Sequence, residues 1–337
     1  MTIKDVARLA GVSVSTVSRV LNEHPDVSPP IREKVLDVVK EYHFIPNSTA
    51  RNLVRPRRNC VGVICLDRTN PFYSGIITVI EEELNKVGYS MCLRFIGLDT
   101  DEVAYAAELE RAERLQGIIF LGGRSDYTAA EIAVLTVPYV CCSYTNYFGD
   151  VPKSRFSSVT IDDMSSATKA VEYLYEMGHR QIALLIPRFE NRSISELRYL
   201  GYCRGMEKLG LPVCEDHILY CDSFHAESGY EAVSQGCKNG MCFTALVAAS
   251  DLLAISAIRA LHELNVRVPE DCSLLGIDGL ELARYSIPSI TTFAQPQKEL
   301  GAESVNLLIP MIREKKKGRH LLLMPTLRMG ESVKKLD

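Results

Sequence analysis

Apolar residues recur at helical spacing in two short segments at the start of the chain, and a single glycine separates them. The two apolar faces comprise Ile3, Val6, Ala7 and Ala10 in the first segment, and Val14, Val17, Val20 and Leu21 in the second. Gly11 can adopt the positive φ of a tight turn, and Ser13 can cap the second helix. Two helices joined by a glycine turn form the helix-turn-helix pattern, in which the second helix enters the DNA major groove. An ordinary helical hairpin fits the same pattern.

A third amphipathic segment follows these two helices. Ser28 is placed as its N-cap, and Pro29 occupies the first helical position. Its apolar stripe comprises Ile31, Val35, Val38, Val39 and Tyr42. Three helices make the smallest bundle that can present a recognition helix, so the pattern predicts a small all-α unit.

Beyond Cys60 the pattern changes to short β-branched runs that alternate with amphipathic helices. The predicted strands span residues 61–66, 90–96, 117–122, 138–143, 157–162, 181–186, 217–222, 244–249 and 272–277, and the first helices between them span 73–86, 102–115 and 128–135. Two such series imply two lobes with buried parallel sheets. Loops at the carboxyl ends of the strands then face each other across a cleft, where a ligand binds.

Charge is distributed unevenly along the chain. Residues 1–58 carry ten Lys and Arg against six Asp and Glu, whereas the remaining residues carry 28 against 36. A basic head on an acidic body favours a polyanion as the partner of the head alone. At 337 residues the chain is expected to form two or three domains.

The sequence indicates neither a membrane segment nor a secretion signal, because no apolar run approaches the roughly 18 residues of a membrane span. We therefore expect a cytoplasmic protein without membrane contact. Its 11 cysteines are scattered without a C-x-x-C pair, so neither disulfides nor a zinc site is expected. Cys141 and Cys142 are adjacent, and we interpret them as part of a strand rather than as a redox sensor.

Several segments carry a family resemblance that covers essentially the whole chain. They read DVARLAGVSVSTVSRVLN, VSPPIREKV and FIPNSTARNL near the start, and NPFYSGI, MGHRQIALL, RYLGYCRGM, VRVPEDCSLLGID and PSITTFAQP farther on. With these segments the chain resembles the LacI/GalR family of bacterial transcription regulators. The resemblance implies an N-terminal all-α helix-turn-helix headpiece with a hinge helix. It also implies an α/β core of two parallel-sheet lobes that is similar to periplasmic sugar-binding proteins.

The same resemblance implies the domain organisation. It assigns residues 1–45 to the helix-turn-helix domain, 46–59 to the hinge helix and linker, and 60–337 to the effector-binding and dimerisation domain. In this family the chain crosses between the lobes three times. We therefore expect lobe 1 at about 60–158 and 293–320, and lobe 2 at about 159–292 and 321–337.

DNA contacts are carried over from the family by position. The matched recognition-helix positions that face base edges are Val14, Ser15 and Arg19. Arg19 is the main candidate, because a guanidinium can bond guanine O6 and N7 together, and a phosphate contact is its alternative. Candidates for phosphate contacts are Thr2, Ser13, Thr16, Ser18 and Asn22. In the hinge, Asn47 is a candidate cap, Ala50 and Leu53 share one face, and Leu53 matches a leucine that wedges between base pairs in the minor groove.

The family's effector-binding positions also map onto this chain. Arg198 matches an arginine that grips hydroxyls, carboxylate or phosphate, and Asp278 matches a carboxylate that accepts from sugar hydroxyls. The other matched positions are the rings of Phe72, Tyr73 and Phe224, the polar Gln295, and Ser143, Ser250 and Asp251. Phe72 and Phe224 also fit a lobe core, and Arg198 can pair with Glu196 or Asp278 without ligand.

Three positions depart from the typical sugar-responsive members of the family. Ser143 stands where an aspartate is common, Ser250 where an asparagine is usual, and Gly279 where Asp or Asn commonly follows Asp278. The cleft therefore offers fewer acceptors than a typical monosaccharide site. A less polar sugar, a phosphorylated or purine-like compound, and a protein coeffector all stay open as effectors.

No motif indicates catalysis, because a glycine-rich phosphate loop, G-x-S-x-G and histidines at metal-ligand spacing are absent. We expect no enzyme, no cofactor and no metal. The sequence predicts a homodimeric repressor, most simply of a carbohydrate-utilisation operon, that binds a palindromic operator in double-stranded DNA and responds to a small effector. A solute-binding protein with an appended head is the alternative from another class.

Overall fold

The computed structural model describes residues 1–21, 24, 26–42, 44, 59–189, 193–238 and 242–336. The chain divides between Arg58 and Asn59 into two compact units, and each is described by itself. Among the described helices, none is long and apolar enough to cross a membrane.

The described residues of the first unit contain three helices. They are α1 (Ile3–Ala10), α2 (Val14–Leu21) and α3 (Pro29–Glu41). Their apolar faces meet in one core, whose buried members include Val6, Ala10, Val17, Val20 and Val35. Gly11 ends α1 with a φ of 61°, as the turn between the helices requires. The helical spacing of the sequence is confirmed for α1 and α2. On α3 the predicted stripe is only partly covered, since Val35 is buried but Ile31 and Tyr42 are 38% and 49% exposed.

Strands and helices alternate through the second unit. The strands are β1 (Cys60–Leu66), β2 (Ser90–Ile96), β3 (Gly117–Leu121), β4 (Tyr139–Cys142), β5 (Ser157–Ile161), β6 (Ile182–Pro187), β7 (Ile218–Cys221), β8 (Ala245–Ala248), β9 (Ser273–Asp278), β10 (Thr291–Ala294), β11 (His320–Leu323) and β12 (Thr326–Arg328). The helices are α4 (Phe72–Lys86), α5 (Glu102–Glu113), α6 (Ala129–Ile132), α7 (Asp163–Glu176), α8 (Ile194–Lys208), α9 (Ala226–Gly236), α10 (Asp251–Glu263), α11 (Leu282–Tyr285) and α12 (Gln297–Glu314), with a 3-10 turn at Glu215–His217.

The strands form two sheets, one in each lobe. Lobe 1 has the order β11-β5-β4-β3-β1-β2, and lobe 2 has the order β12-β10-β9-β8-β6-β7. The pairs are parallel, except that β12 runs antiparallel to β10. Every side chain of β3 and β6 is buried, which is why their sequences are continuously apolar. The fold class predicted from the sequence is confirmed.

The predicted strands are present to within one or two residues, but the apolar pattern did not identify β10, β11 and β12. The last two are short, half-exposed edge strands, so they carry little apolar signal. The helix predicted at 128–135 is shorter than expected, since only Ala129–Ile132 is helical.

The chain crosses between the lobes after β5, after β10 and after β11. These strands end at Ile161, Ala294 and Leu323, a few residues beyond the expected lobe boundaries near 158, 292 and 320. A motif match aligns residues with those of the family, but it does not show where hydrogen-bond pairing ends a strand. The expected lobe boundaries therefore lay a few residues too early.

Candidate functional site

Helix α2 exposes the side chains that the resemblance assigns to base contacts. Val14 is 42% exposed, and Ser15 and Arg19 are exposed too, whereas Val17 and Val20 are buried in the core. The helical period thus separates a core face from an outer face. An exposed valine beside a serine and an arginine can contact a thymine methyl and base-edge acceptors.

Hydroxyl groups cluster at the start of α2. The Thr16 backbone N–H donates to Ser13 Oγ at 3.1 Å, so Ser13 caps the helix as predicted. Ser13 Oγ also lies 2.7 Å from Ser15 Oγ and 2.8 Å from Thr16 Oγ1. A helix N-terminus with such hydroxyls favours an anion such as a phosphate.

Of the other predicted DNA-contact residues, the structure describes two, Thr2 and Ser18. The Thr2 hydroxyl donates to the Asp5 carboxylate at 2.8 Å and completes a capping box at the start of α1. Ser18 is half-buried on α2. Asn22, Asn47, Ala50 and Leu53 lie outside the described residues.

Seven of the nine predicted effector residues line one cavity of about 50 Å³ between the lobes. They are Phe72, Tyr73, Ser143, Arg198, Phe224, Asp278 and Gln295, and they are joined by Asn70 and Ile194, which the sequence analysis did not identify. Most of them follow the carboxyl end of a strand, where two facing parallel sheets bring loops and helix starts together. The cavity, which we call the inner cavity, therefore has walls from both lobes.

The rings of the inner cavity are also part of the lobe cores. Phe72 is 4% exposed, packs into the core of lobe 1 and meets Tyr73 edge to face at 5.5 Å. Phe224 packs partly against the core of lobe 2. The Tyr73 and Ser143 side chains share a hydrogen bond, and the Arg198 guanidinium lies 6.0 Å from the Phe224 ring centroid. Both interpretations of the two phenylalanines, cavity wall and core, thus hold together.

Arg198 is buried and surrounded by acceptors. Its Nε donates to Asp163 Oδ1 at 2.9 Å, and its Nη1 donates to the Ala249 carbonyl. Its Nη2 lies 3.7 Å from Asp278 Oδ1, which also accepts from Gln295 Nε2 at 2.8 Å. The sequence analysis missed Asp163, although its position directly after a strand, at the first residue of a helix, is a usable signal.

One guanidinium therefore faces two buried carboxyl groups. Burial raises the pKa of Asp278 to about 8, although Arg198 opposes that shift. Burial also raises the pKa of Asp163, again against the attraction of Arg198. Because its charge is already balanced, Arg198 offers little net attraction to an anionic ligand.

Ser250 and Asp251 do not line the inner cavity. Ser250 Oγ accepts from the Leu253 backbone N–H at 3.1 Å and caps α10. The Asp251 carboxylate accepts from the Thr292 hydroxyl at 2.5 Å and from the Leu280 backbone N–H at 2.7 Å. Ser250 therefore caps its own helix, Asp251 joins segments within lobe 2, and the effector contact of both residues stays a prediction.

A polar contact joins the two lobes close to the inner cavity. His225 Nε2 lies 2.8 Å from the Thr69 hydroxyl and 3.3 Å from Asp67 Oδ1. Thr69 and Asp67 follow β1 in lobe 1, whereas His225 precedes α9 in lobe 2. We call this the clasp. The sequence offers no signal for the clasp, because Thr69 and His225 are 156 residues apart.

Among the described residues, neither a metal-binding cluster nor a reactive thiol is found at the site. Within the described residues, no group of three or more His, Cys, Asp or Glu side chains is placed to hold a metal ion. Cys141 and Cys142 are buried in β4, as the strand interpretation predicted. Burial raises the pKa of both thiols to about 12, which disfavours the thiolate form.

Comparison with known proteins agrees with this geometry. Residues 2–47 match the family model of bacterial regulatory proteins of the lacI family, and residues 171–333 match a periplasmic binding protein-like domain. The chain is 35% identical to the HTH-type transcriptional regulator MalR of Clostridium butyricum over 325 residues, 96% of each chain. A solved lac repressor dimer, bound to operator and the anti-inducer ONPF, is 27% identical, with a TM-score of 0.73 and 99% of each chain covered. A CelR–cellobiose complex is 28% identical, with a TM-score of 0.71, and covers 98% of this chain and 99% of that one.

Proposed function

Because the chain belongs to the lacI family of bacterial regulatory proteins and is a DNA-binding transcriptional regulator, we propose that it represses a carbohydrate-utilisation operon. It binds a palindromic operator as a homodimer and is controlled by a small effector between the lobes. The observation that carries this proposal is the inner cavity, where seven residues matched to the family's effector positions converge from both lobes.

The charge balance of the inner cavity favours a neutral effector. Arg198 is compensated by Asp163 and lies close to Asp278, so a phosphate or carboxylate gains little there. Hydroxyl groups of a sugar can instead exchange hydrogen bonds with Asp278 and Gln295, while its apolar face stacks on Phe224. The solved CelR neighbour holds cellobiose, which is such a ligand.

On the DNA side, the outer face of α2 supports base contacts by Val14, Ser15 and Arg19. Residues 46–59 act as the hinge, and Leu53 inserts into the minor groove of the operator. Leu53→Gly is therefore expected to weaken operator binding. An unchanged affinity in a gel-retardation titration would remove the hinge from the proposal.

Dimerisation is supported by exposed apolar side chains in lobe 2. Leu282 and Tyr285 on α11 are 55% and 73% exposed, and Ile287 just beyond it is 91% exposed. Three large apolar groups on one short segment mark a surface that a second copy of the chain can cover. A dimer with two-fold symmetry then presents two headpieces to a palindromic site.

Two coupled assays test the proposal. A thermal-shift screen with sugars, sugar phosphates and purine bases identifies the effector class, since a ligand at 100 times its Kd adds about 2.7 kcal/mol to the stability of the native state. The bound compound is then added to a gel-retardation assay with a symmetric operator. We expect a neutral sugar to bind and to change operator affinity.

Phe224→Ala serves as the site variant, because its ring lines the cavity without carrying buried charge. Tyr230→Ala, a half-buried ring on α9 away from the cavity, is its control. The proposal fails if no class of compound binds, or if the bound compound leaves operator affinity unchanged. Binding of a sugar phosphate alone would refute the argument from charge balance, and an effect of a protein coeffector alone would refute the small-molecule effector.

A further inference from the structure

A second and larger cavity lies along one face of the lobe 1 sheet. Ser158 and Thr160 on β5 pair with His320 and Leu322 on β11, and all four side chains line this space. Its volume is about 490 Å³. We call it the outer cavity.

Residues of both lobes line the outer cavity. Lobe 1 contributes the face of β5 and β11 together with the loop after β4, which carries Tyr144 and Tyr147. Lobe 2 contributes the start of α7 and one side of α8 with Ile194 and Leu197. A ligand that touches both walls gains or loses contacts when the lobes move, which is the physical requirement for a regulatory site.

Size separates the two cavities. Small-molecule sites commonly measure about 300–1,000 Å³. The inner cavity, at about 50 Å³, has room for a few water molecules, whereas the outer cavity, at about 490 Å³, falls within the range for small molecules. In this arrangement of the lobes the outer cavity has room for an organic ligand, whereas the inner cavity admits its proposed effector only when the lobes move apart.

The wall between the cavities contains the buried ion pair. Asp163 lines the outer cavity and accepts from Arg198, which lines the inner cavity, at 2.9 Å. Ile194 lines both cavities. A ligand that donates a hydrogen bond to the Asp163 carboxylate therefore competes with Arg198 and changes the charge balance next to Asp278.

The lining has the chemistry of a carbohydrate site. Tyr147 is 60% exposed and offers a ring face at the rim, while Tyr144 is buried in the wall. Asn146, Thr145 and Asp162 supply amide, hydroxyl and carboxylate groups at the same opening. Acidic and basic groups are both present, and both His320 ring nitrogens are engaged, with Ser158 Oγ at 2.8 Å and the Lys153 carbonyl at 2.9 Å. Charges of both signs therefore line the opening, with Lys153 and Arg204 on the basic side and Asp162 and Asp163 on the acidic side.

We propose that the outer cavity is a second ligand site, for a neutral carbohydrate of two rings, coupled to the inner cavity through Asp163. One ring stacks on Tyr147, and the hydroxyl groups exchange hydrogen bonds with Asn146 and Asp162. Sugar binding here requires neither the operator nor an occupied inner cavity. Its effect on transcription rests on the proposed function.

Titration calorimetry on the full chain tests the site, with cellobiose, maltose, sucrose, glucose and glucose 6-phosphate as probes. We expect at least one of the disaccharides to bind. Thr160→Trp, which fills the outer cavity from the half-buried middle of β5, should weaken that binding about tenfold or more. Thr326→Trp on the exposed strand β12 is the matched control and should change affinity by less than about twofold.

Two further variants keep the test decisive. Tyr147→Ala removes an exposed ring, so it leaves the fold intact and should weaken disaccharide binding severalfold even if Thr160→Trp does not fold. Phe224 lines the inner cavity and not the outer one, so the disaccharide-binding step that Tyr147→Ala weakens should keep its affinity within about threefold in Phe224→Ala, even where a second step at the inner cavity is lost.

The proposal is overturned if no disaccharide binds, if only glucose 6-phosphate binds, or if Tyr147→Ala binds like the wild type. It is also overturned if Phe224→Ala loses affinity as strongly as the outer-cavity variants, because the two cavities would then act as one site. Operator binding is measured separately, so a regulator that retains its operator without binding a disaccharide would overturn this site alone.

Discussion

Removal of the Arg198 guanidinium is expected to destabilise the second unit whether or not a ligand is present. Arg198, Asp163 and Asp278 are each only 4% exposed. The attraction between unit charges separated by the observed 2.9 Å is about 6 kcal/mol at an effective dielectric constant near 20. Loss of one partner of a buried pair costs about 3–5 kcal/mol, because the remaining charge stays buried without compensation. We expect that cost for Arg198→Met, and about 1–3 kcal/mol for Asp163→Asn, since Asp278 still faces the guanidinium.

A double-mutant cycle measures the coupling. The free energy of unfolding is obtained from urea titrations of the wild type, both single variants and the double variant. Near-ultraviolet circular dichroism of tyrosine is the suitable signal, because the chain has 15 Tyr and no Trp, and Tyr42 is the one tyrosine within residues 1–58. The signal therefore reports mainly on the second unit.

We expect a coupling energy of about 2–3 kcal/mol, at the upper end for residues in contact. Arg259→Met is the control, since Arg259 pairs with Glu263 on the surface of α10 and its loss should leave the midpoint unchanged. A coupling energy below about 0.5 kcal/mol would refute the reasoning, because Asp163 would then not be ionised beside Arg198 in the native state. The expected result also makes Arg198→Ala a poor ligand-site variant, since lost stability would mask lost binding.

Further predictions concern pH, DNA and the surfaces of the lobes. Because the pKa of Asp278 rises to about 8 in the native state from an unfolded value near 4, the native state holds an extra proton between these values, and stability falls as pH rises. Asp278→Asn should remove this fall in stability, so the Tm of the variant relative to the wild type should rise from pH 5 to pH 8. Parallel plots of Tm against pH for the two proteins would contradict this prediction. Arg19→Ala should cost about 1–3 kcal/mol of operator binding and relax sequence preference, and an equal loss on all sequences would make Arg19 a phosphate contact. His225→Ala should open the clasp and speed amide exchange after β1, whereas His262→Ala, at the exposed end of α10, should not. Ile287→Asp should shift sedimentation toward the monomer, and an unchanged dimer would exclude that surface.

The local periodicity of the sequence was sufficient for the elements of the fold. Helical spacing in α1 and α2 and β-branched runs in β3 and β6 place apolar groups on faces that have to be covered, so the two kinds of unit follow from the pattern. The pattern did not identify β11 and β12, because edge strands need only a hydrogen-bonding partner and little buried surface.

The sequence also led to most of the inner cavity, because motif matches identify residues that follow strand ends. It missed Asp163 as the partner of Arg198, and the two are 35 residues apart. Nothing in either segment states which acidic group the arginine meets, since Asp163, Glu196 and Asp278 are all carboxylates near an expected cleft.

Periodicity and motif spacing are local properties of the chain, and they were enough to predict the family, the helix-turn-helix unit and the two parallel-sheet lobes. The charge balance around Arg198, the clasp and the division into an inner and an outer cavity follow from the packed fold alone. These features depend on distances between groups that lie far apart in sequence. Such distances are fixed only when both sheets pack and the chain has crossed between the lobes three times.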